Sequence, residues 1–509
     1  MRKLLENDII NEYNNFKALA NQLFGSGEYE QCLKFIDLCS RIAYNFNFIY
    51  FDNDLENLLI EIGNKVLINK EPDAEGNRYV FYDYFGLDSR GLTQQYIRAL
   101  IALGKQFLYI LSSEDSLKKG QNILSEIYAY DKAFVHVLKK GSFLEKIQEV
   151  EKVVYSYNPQ KAFLHLSPWD VVGVTFWTKF KIRRYFINLT DHAFWLGVNS
   201  ADYFLEFRPY GYKLSADARG IAKAKLLLLP YYPIQKETEF LGFPVDTNGK
   251  IVGFSGSAFY KIYGRSGMFF TLIKKALIEN KNFIFLLAGS GNTQPINKFI
   301  EENNFEGRFV LVGDRSDINE VFKHIDVFIN TYPVIGGLMT QLAVLNSKPL
   351  ITYTSPDLAF NFIEDFLRVD RRKVKSMFTE DEFFNELNNL IKSSDYRLRN
   401  VENYKGSIPT VSEFNSQLEE YLLNPVSEEV VIDNIKINYG AIKDLYLETE
   451  NDFLNSYDYM KLYQLRSSYF LRFPISALRS LTRVIAFHGK SIINKEWNKF
   501  AKRIVISKT

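Results

Sequence analysis

The sequence predicts an α/β protein of two tandem Rossmann-like domains, preceded by a helical segment and followed by further helices. Three observations predict it. From residue 78, apolar runs of strand length alternate with helix-length amphipathic stretches, the pattern of parallel sheets covered on both faces. The alternation begins again near Asn248, giving a second and more regular series. Both ends of the chain keep a helical period. At 509 residues the chain is too long for one core, and the expected divisions are 1–75, 76–240, 241–425 and 426–509.

Each element has its own justification. In the first segment Leu19, Leu23, Cys32, Phe35, Ile36, Cys39, Ile42 and Ala43 recur at helical spacing, broken at Gly25-Ser26-Gly27. The piece GEYEQCLKFIDLCSRIAYNF resembles one tetratricopeptide-like helix pair, and a plain helical cap is the competing reading. A polar linker runs from Lys70 to Asn77. Strands are then expected at Tyr79–Phe85, 106–113, Phe134–Leu138, Ala162–Ser167, Arg183–Thr190, Tyr203–Phe207 and Leu226–Leu229. The second series reads KIVGFSGSAF (strand and turn), Gly267–Glu279 (helix), FIFLLAGSG (strand), PINKFIEENN (helix), RFVLVGD (strand) and INEVFKHI (helix). It continues into a short strand at Val327–Ile329, a break at Tyr332-Pro333, a Gly336-Gly337 pair, a helix over Leu338–Leu345 and a strand over Leu350–Tyr353.

Ligands of such sheets lie beyond the carboxyl ends of the strands. The turns to inspect are therefore Ser255–Lys261, Gly289–Asn292, Gly313–Ser316 and Tyr332–Gln341, all rich in glycine and small polar residues. In the last of these a helix opens at a glycine turn. Free backbone N–H groups and a helix dipole then converge, which suits a phosphate or diphosphate. Ordinary α/β chain reversal produces the same pattern.

Bulk properties exclude other classes. A hydrophobic content of 47% rules out general disorder, and a net charge of +2 gives no global attraction to nucleic acid. Cys32 and Cys39, seven apart on one predicted helix, suit reduced structural thiols. The N-terminus turns polar at once, unlike a signal peptide, and no apolar run approaches a membrane span, so a soluble cytoplasmic protein is expected. The last fifty residues are basic: Arg466, Arg472, Arg479, Arg483, Lys490, Lys495, Lys499, Lys502, Arg503 and Lys508 face only Glu496. Arg479, Arg483 and Lys490 fall on one helical face, and Ile475, Leu478, Leu481 and Ile485 on another. Two readings are open: a helix lying on the anionic inner face of the cell membrane, or a helix packed on the protein with a solvated basic side.

Over residues 78–425 the chain resembles the GT-B glycosyltransferases, through TYPVIGGLMTQLAVLNSKPLITY and the tandem units, with Ser347 replacing the usual last glycine. Within GT-B, GFSGSAFYKIYGRS resembles a strand–turn segment of the O-GlcNAc transferase group and its bacterial protein-glycosylating relatives. The resemblance implies a nucleotide-sugar donor in the second domain, UDP-sugar favoured, and a glycan, lipid-linked or protein acceptor in the first. It implies a lysine at the diphosphate, Lys261, and donor contacts from Gly256, Ser257, Gly289, Gly313, Asp314, Arg315, Gly336, Gly337, Leu338, Met339, Thr340 and Gln341. Retaining relatives carry a ribose-binding Glu where this chain has Leu342, which argues for an inverting site; Gln341 is its polar neighbour. No metal and no cofactor beyond the donor is expected, because a lysine can neutralise the departing diphosphate.

The base is expected from the first domain. Asp191-His192 follow a strand, and imidazole titrates near neutrality, so His192 or Asp191 can take the acceptor proton; Asp191 as a helix cap is the plainer reading. Asp88-Ser89-Arg90-Gly91 resembles the glycine loop that borders the acceptor. Two alternatives accompany the transferase reading: a non-catalytic GT-B-like partner subunit, and a nucleotide-sugar epimerase. The latter needs several carboxylates and histidines around the sugar, and the strand-end turns are poor in both.

Overall fold

Two parallel sheets organise the chain. The computed structural model describes residues 3–68, 76–89, 91–367, 376–426, 430 and 435–486. Arg90, most of the expected Lys70–Asn77 linker, and the tail from residue 487, with His488 and Lys490, lie outside them.

The first sheet has seven strands: β1 (Arg78–Asp83), β2 (Gln106–Leu111), β3 (Ala133–Val137), β4 (Lys161–His165), β5 (Arg183–Ile187), β6 (Tyr203–Glu206) and β7 (Leu226–Leu228). Their order is β3-β2-β1-β4-β5-β6-β7, every neighbour parallel. The second has five: β8 (Ile251–Gly256), β9 (Phe283–Ala288), β10 (Phe309–Gly313), β11 (Val327–Ile329) and β12 (Leu350–Ile351), ordered β10-β9-β8-β11-β12 and again parallel. Near-continuous apolar strands such as FIFLLA in β9 are buried throughout because helices cover both faces. Strand order reverses between β1 and β4 in one sheet and between β8 and β11 in the other. Those switch points open crevices at the carboxyl ends.

One apolar cluster joins the two units: Phe163, Tyr185 and Leu227 of the first sheet share it with Phe254, Leu286 and Phe328 of the second. The helix Val411–Leu423, placed by sequence in the second division, packs against the first: Phe414 meets Tyr96, and Tyr185 donates to the Tyr421 carbonyl. The chain ends also meet. Helices Glu6–Gly25, Tyr29–Phe46 and Asn53–Val66 lie on the first sheet and bury Cys32 and Cys39 as free thiols. Lys443 reaches Glu6, Lys461 reaches Glu12, and Phe473 packs edge-on to Phe16. Among the described residues no helix is long and apolar enough to cross a membrane.

Candidate functional site

The second sheet's switch point lies between Gly256 and the end of β11. Asn330, just past β11, is buried, and its side-chain oxygen accepts the N–H groups of Thr331 and Gly336, each at 3.0 Å. Its amide donates to Thr340 Oγ1 at 2.7 Å. Asn361 accepts Ile335 N–H at 2.9 Å and donates to the Pro333 carbonyl. Two asparagines thus fold Thr331–Gly336 into a fixed turn, and the helix Gly337–Leu345 leaves it with no side-chain cap. An uncapped N-terminus presents backbone donors and partial positive charge. Lys261 Nζ sits beside this turn, donating to the Ile335 carbonyl at 3.2 Å, and Val334 N–H returns a bond to the Lys261 carbonyl at 3.2 Å. Burial, with the nearby Arg208 guanidinium, pulls the Lys261 ammonium down to about 8. Arg208 is already paired with Asp191, so the lysine beside the helix N-terminus is the charge that an anion would relieve.

Glycines let the backbones approach. A Cβ on Gly256 would come 2.6 Å from the Met339 methyl, and one on Gly289, at φ +131°, would come 1.8 Å from the Ser257 carbonyl oxygen. Gly289 N–H bonds the Gly313 carbonyl, linking two of the expected turns. The side chain of Phe366 lies over Gly337, and Arg208 stacks on the same ring at 4.1 Å.

The first sheet reaches this place through Arg208. Beyond β5, Asp191 is buried and accepts a two-pronged bond from Arg208. Burial works against its charge, yet Arg208 and His192 hold this carboxyl well below the usual range. His192 Nδ1 lies 3.2 Å from Asp191 Oδ1, and its ring, partly exposed, stacks on Phe360 of the second unit at 6.1 Å. An imidazole whose Nδ1–H faces a carboxylate keeps Nε2 as an acceptor. Asp191 itself is buried and committed to Arg208, whereas the His192 ring is partly exposed. Nor does Asp191 cap a helix. Arg208 also donates to the Phe360 carbonyl at 2.6 Å, so one guanidinium joins His192's partner to the second unit.

The N-terminal helices hold this loop in place. Buried Glu56 accepts Gly197, Val198 and Asn199 N–H at 2.7, 2.9 and 2.8 Å, and Asn47 accepts Phe194 N–H at 3.2 Å. Beneath the loop, Glu206 accepts both Asn188 Nδ2 bonds and the Ser215 hydroxyl, and burial pushes its carboxyl up to about 7.

Several expected contacts are otherwise engaged. Arg315 pairs with Asp317 and donates to the Gly242 carbonyl at 2.8 Å, stacking on Phe240 and Phe243; it clamps the segment between the units. Asp314 is exposed. Gln341 donates to the Tyr231 carbonyl at 3.2 Å, again toward that segment, while Leu342 is core. Leu338 and Met339 pack against the shared core, so their amides alone remain for a ligand. Thr340 is occupied by Asn330 and the Gly336 carbonyl, and the Ser257 hydroxyl is buried without a partner. Asp88 accepts Asn122 and Ile123 N–H at 2.8 and 3.0 Å, at the start of the helix Gln121–Tyr128. Ser89 N–H is held by Gln94, and Gly91 lies against His165.

Sequence reasoning passed over Arg208, Glu206, Asn330 and the Asp83–His165 pair. At the first switch point Asp83 accepts Thr93 Oγ1, Tyr109 Oη and His165 Nδ1 at 2.8, 2.7 and 3.0 Å, all buried. The available signal was a polar residue at or just past the carboxyl end of an apolar strand. Carboxylates and histidines are therefore richer at this edge than the sequence suggested, although Asp83, His165 and Glu206 are sealed from the cleft. Among the described residues no group of three or more His, Cys, Asp or Glu side chains is arranged to hold a metal ion.

No family model matches the sequence, and no curated protein matches it. Among solved structures the chain is similar to Anabaena HepE in complex with UDP and glucose, at 14% identity over 68% of this chain and 100% of that one, with a TM-score of 0.49. It is similar to a mutant of Thermobaculum terrenum O-GlcNAc transferase at 13% identity, over 86% of this chain and 84% of that one, TM-score 0.49. A Listeria monocytogenes protein assigned as a UDP-N-acetylglucosamine 2-epimerase is similar at 8% identity, over 70% of this chain and 100% of that one, TM-score 0.47. The architecture rests on the chain's own topology: two doubly wound sheets facing one cleft, with a late helix returning to the first unit, form the expected GT-B fold.

Proposed function

We propose that this protein is a glycosyltransferase moving a sugar from a nucleoside-diphosphate donor, UDP-sugar favoured, to a hydroxyl of a glycan, lipid-linked or protein acceptor, with inversion and without a metal or further cofactor. One observation supports it most: Lys261, beside the uncapped Gly337–Leu345 helix, lies near Arg208, which pairs with the Asp191 that holds His192. In the reaction His192 Nε2 takes the acceptor hydroxyl proton while that oxygen bonds the anomeric carbon. The carbon–oxygen bond to the diphosphate breaks, and its electron pair goes to the leaving phosphate oxygen. Lys261 and the amides of Gly337, Leu338 and Met339 meet the charge that develops there. Asp191 and Arg208 are positioning residues that hold the imidazole.

The epimerase alternative is less well supported, because the additional acids, Asp83 and Glu206, are enclosed and already hydrogen-bonded. Calorimetry with UDP, GDP and CDP, followed by a nucleotide-sugar panel assayed for transfer and hydrolysis, tests the reading. Binding of UDP with turnover of one UDP-sugar is expected, and the panel separates hexosyl from N-acetylhexosaminyl donors. Absence of binding to all three nucleotides would point to a non-catalytic subunit and overturn it.

A further inference from the structure

The helices that close the described chain are amphipathic in an inverted sense. The side facing the body is stitched by polar groups: Ser476 donates to Glu12 at 2.9 Å, Ser480 donates to Asp458 at 2.6 Å, and the Tyr469 hydroxyl lies 2.8 and 3.2 Å from their two hydroxyls. Ala477, Ser480 and Val484 are buried along that side. The large apolar side chains therefore point outward, Leu471 on the helix that ends at Arg472 and Ile475, Leu478 and Ile485 on the helix that follows Phe473. Leu471 is 81% exposed, Ile475 67%, Leu478 56% and Ile485 49%, with Phe470 and Leu481 beside them. A contiguous row of this kind marks an interaction surface.

Its charge indicates the partner. No Asp or Glu occurs between Asp458 and Glu496, whereas Arg466, Arg472, Arg479 and Arg483 fall in the same stretch. Arg483 and Arg472 each reach one carboxylate, Asp458 and Glu28, at 3.3 and 3.2 Å. Arg466 and Arg479 are exposed. A protein partner would need an acidic rim around an apolar groove. A bilayer with anionic headgroups supplies both layers at once, taking the aliphatic row to the acyl boundary and the guanidinium groups to phosphate depth. Among the described residues no helix is long and apolar enough to cross a bilayer, and an outward apolar side flanked by arginines suits lying on the surface.

We infer that the face formed by Leu471, Ile475, Leu478 and Ile485 with Arg466 and Arg479 docks the protein on an anionic membrane surface. The inference is independent of the transferase reading. It is tested by co-sedimenting the full chain with vesicles of phosphatidylcholine alone or with 30 mol% (about a third) phosphatidylglycerol. Binding to the anionic vesicles only is expected, weakening at high salt. Arg466→Gln with Arg479→Gln should lower the partition coefficient roughly 25-fold, about fivefold for each charge. Leu471→Glu with Leu478→Glu, both at exposed positions, should abolish binding with an unchanged melting temperature. Equal binding to neutral vesicles, binding retained by the Leu double variant, or no binding at all would overturn the inference. In the last case sedimentation velocity separates a second copy on this face, seen as a dimer, from coverage by the chain's own tail, seen as a monomer.

Discussion

Lys261 offers the sharpest test of the donor site. Burial and the Arg208 charge hold its ammonium near pH 8, against an ordinary 10.5. A lysine titrating there would be about a tenth neutral at pH 7, about half at pH 8 and about nine-tenths at pH 9. A diphosphate placed against it restores the proton. UDP binding should then take up nearly one proton at pH 9 and almost none at pH 7, and the affinity should fall about tenfold across that interval. The sign is set by the depressed lysine: binding weakens as pH rises because the free state must be protonated to receive the anion. Lys261→Ala removes a charge-assisted bond of about 1.5–3 kcal/mol, weakening UDP roughly 10- to 150-fold at pH 7. Lys261→Arg keeps its charge at both pH values and should flatten the profile. The assay is calorimetry at pH 7, 8 and 9 in two buffers of different protonation enthalpy, with Lys261→Ala as the baseline for the nucleotide's own titration. If the native protein and Lys261→Ala gave the same pH profile and proton uptake, the placement of the diphosphate at Lys261 would be refuted.

Other outcomes follow from the same geometry. His192→Ala should keep UDP affinity within about twofold and slow transfer about a hundred- to ten-thousandfold, read by separate binding and product assays. Asp191→Asn leaves the buried Arg208 charge uncompensated and should cost about 3–5 kcal/mol in denaturant unfolding. Glu206, raised by burial to about 7 from an ordinary 4.5, binds a proton in the folded state that the unfolded chain releases between those values. Stability should therefore fall as pH rises from 5 to 8, by up to ~3 kcal/mol, and Glu206→Gln should flatten that part of the melting curve. Gly289→Ala drives a methyl into the Ser257 carbonyl and should cost more than about 4 kcal/mol; Gly313→Ala, at φ +70° with open space around it, should cost only about 1–2 in the same melts.

The strands show how far the sequence could be read. Apolar runs such as 106–113 and FIFLLAGSG were placed to within a few residues, because a strand buried on both faces needs a continuous apolar run and little else. The glycine turn beside Lys261 was legible for a local reason as well, since strand, turn and helix are consecutive in the chain. Roles requiring a distant partner were not legible. The Arg315 side chain is engaged by Asp317 and the Gly242 carbonyl, and the Asp88 carboxylate by the amides of Asn122 and Ile123, partners that no local pattern indicates. Arg208 drew no notice beyond β6, yet its partners lie 17 residues away at Asp191 and 152 away at Phe360.

The closing helices show the same division. The spacing of Ile475, Leu478, Leu481 and Ile485 was enough to define an apolar face, and that of Arg479 and Arg483 a basic one. Which face turns inward is a tertiary matter, decided by Ser476, Ser480 and Tyr469 against Glu12 and Asp458. By itself the sequence determined the two parallel α/β units, the helical ends and the glycine turn, because period, chain reversal and backbone freedom are local properties. Only the tertiary structure decided which charges survive at the cleft. A side chain's chemistry depends on the partners that folding brings to it, and here those partners come from the opposite unit and from distant positions in the chain.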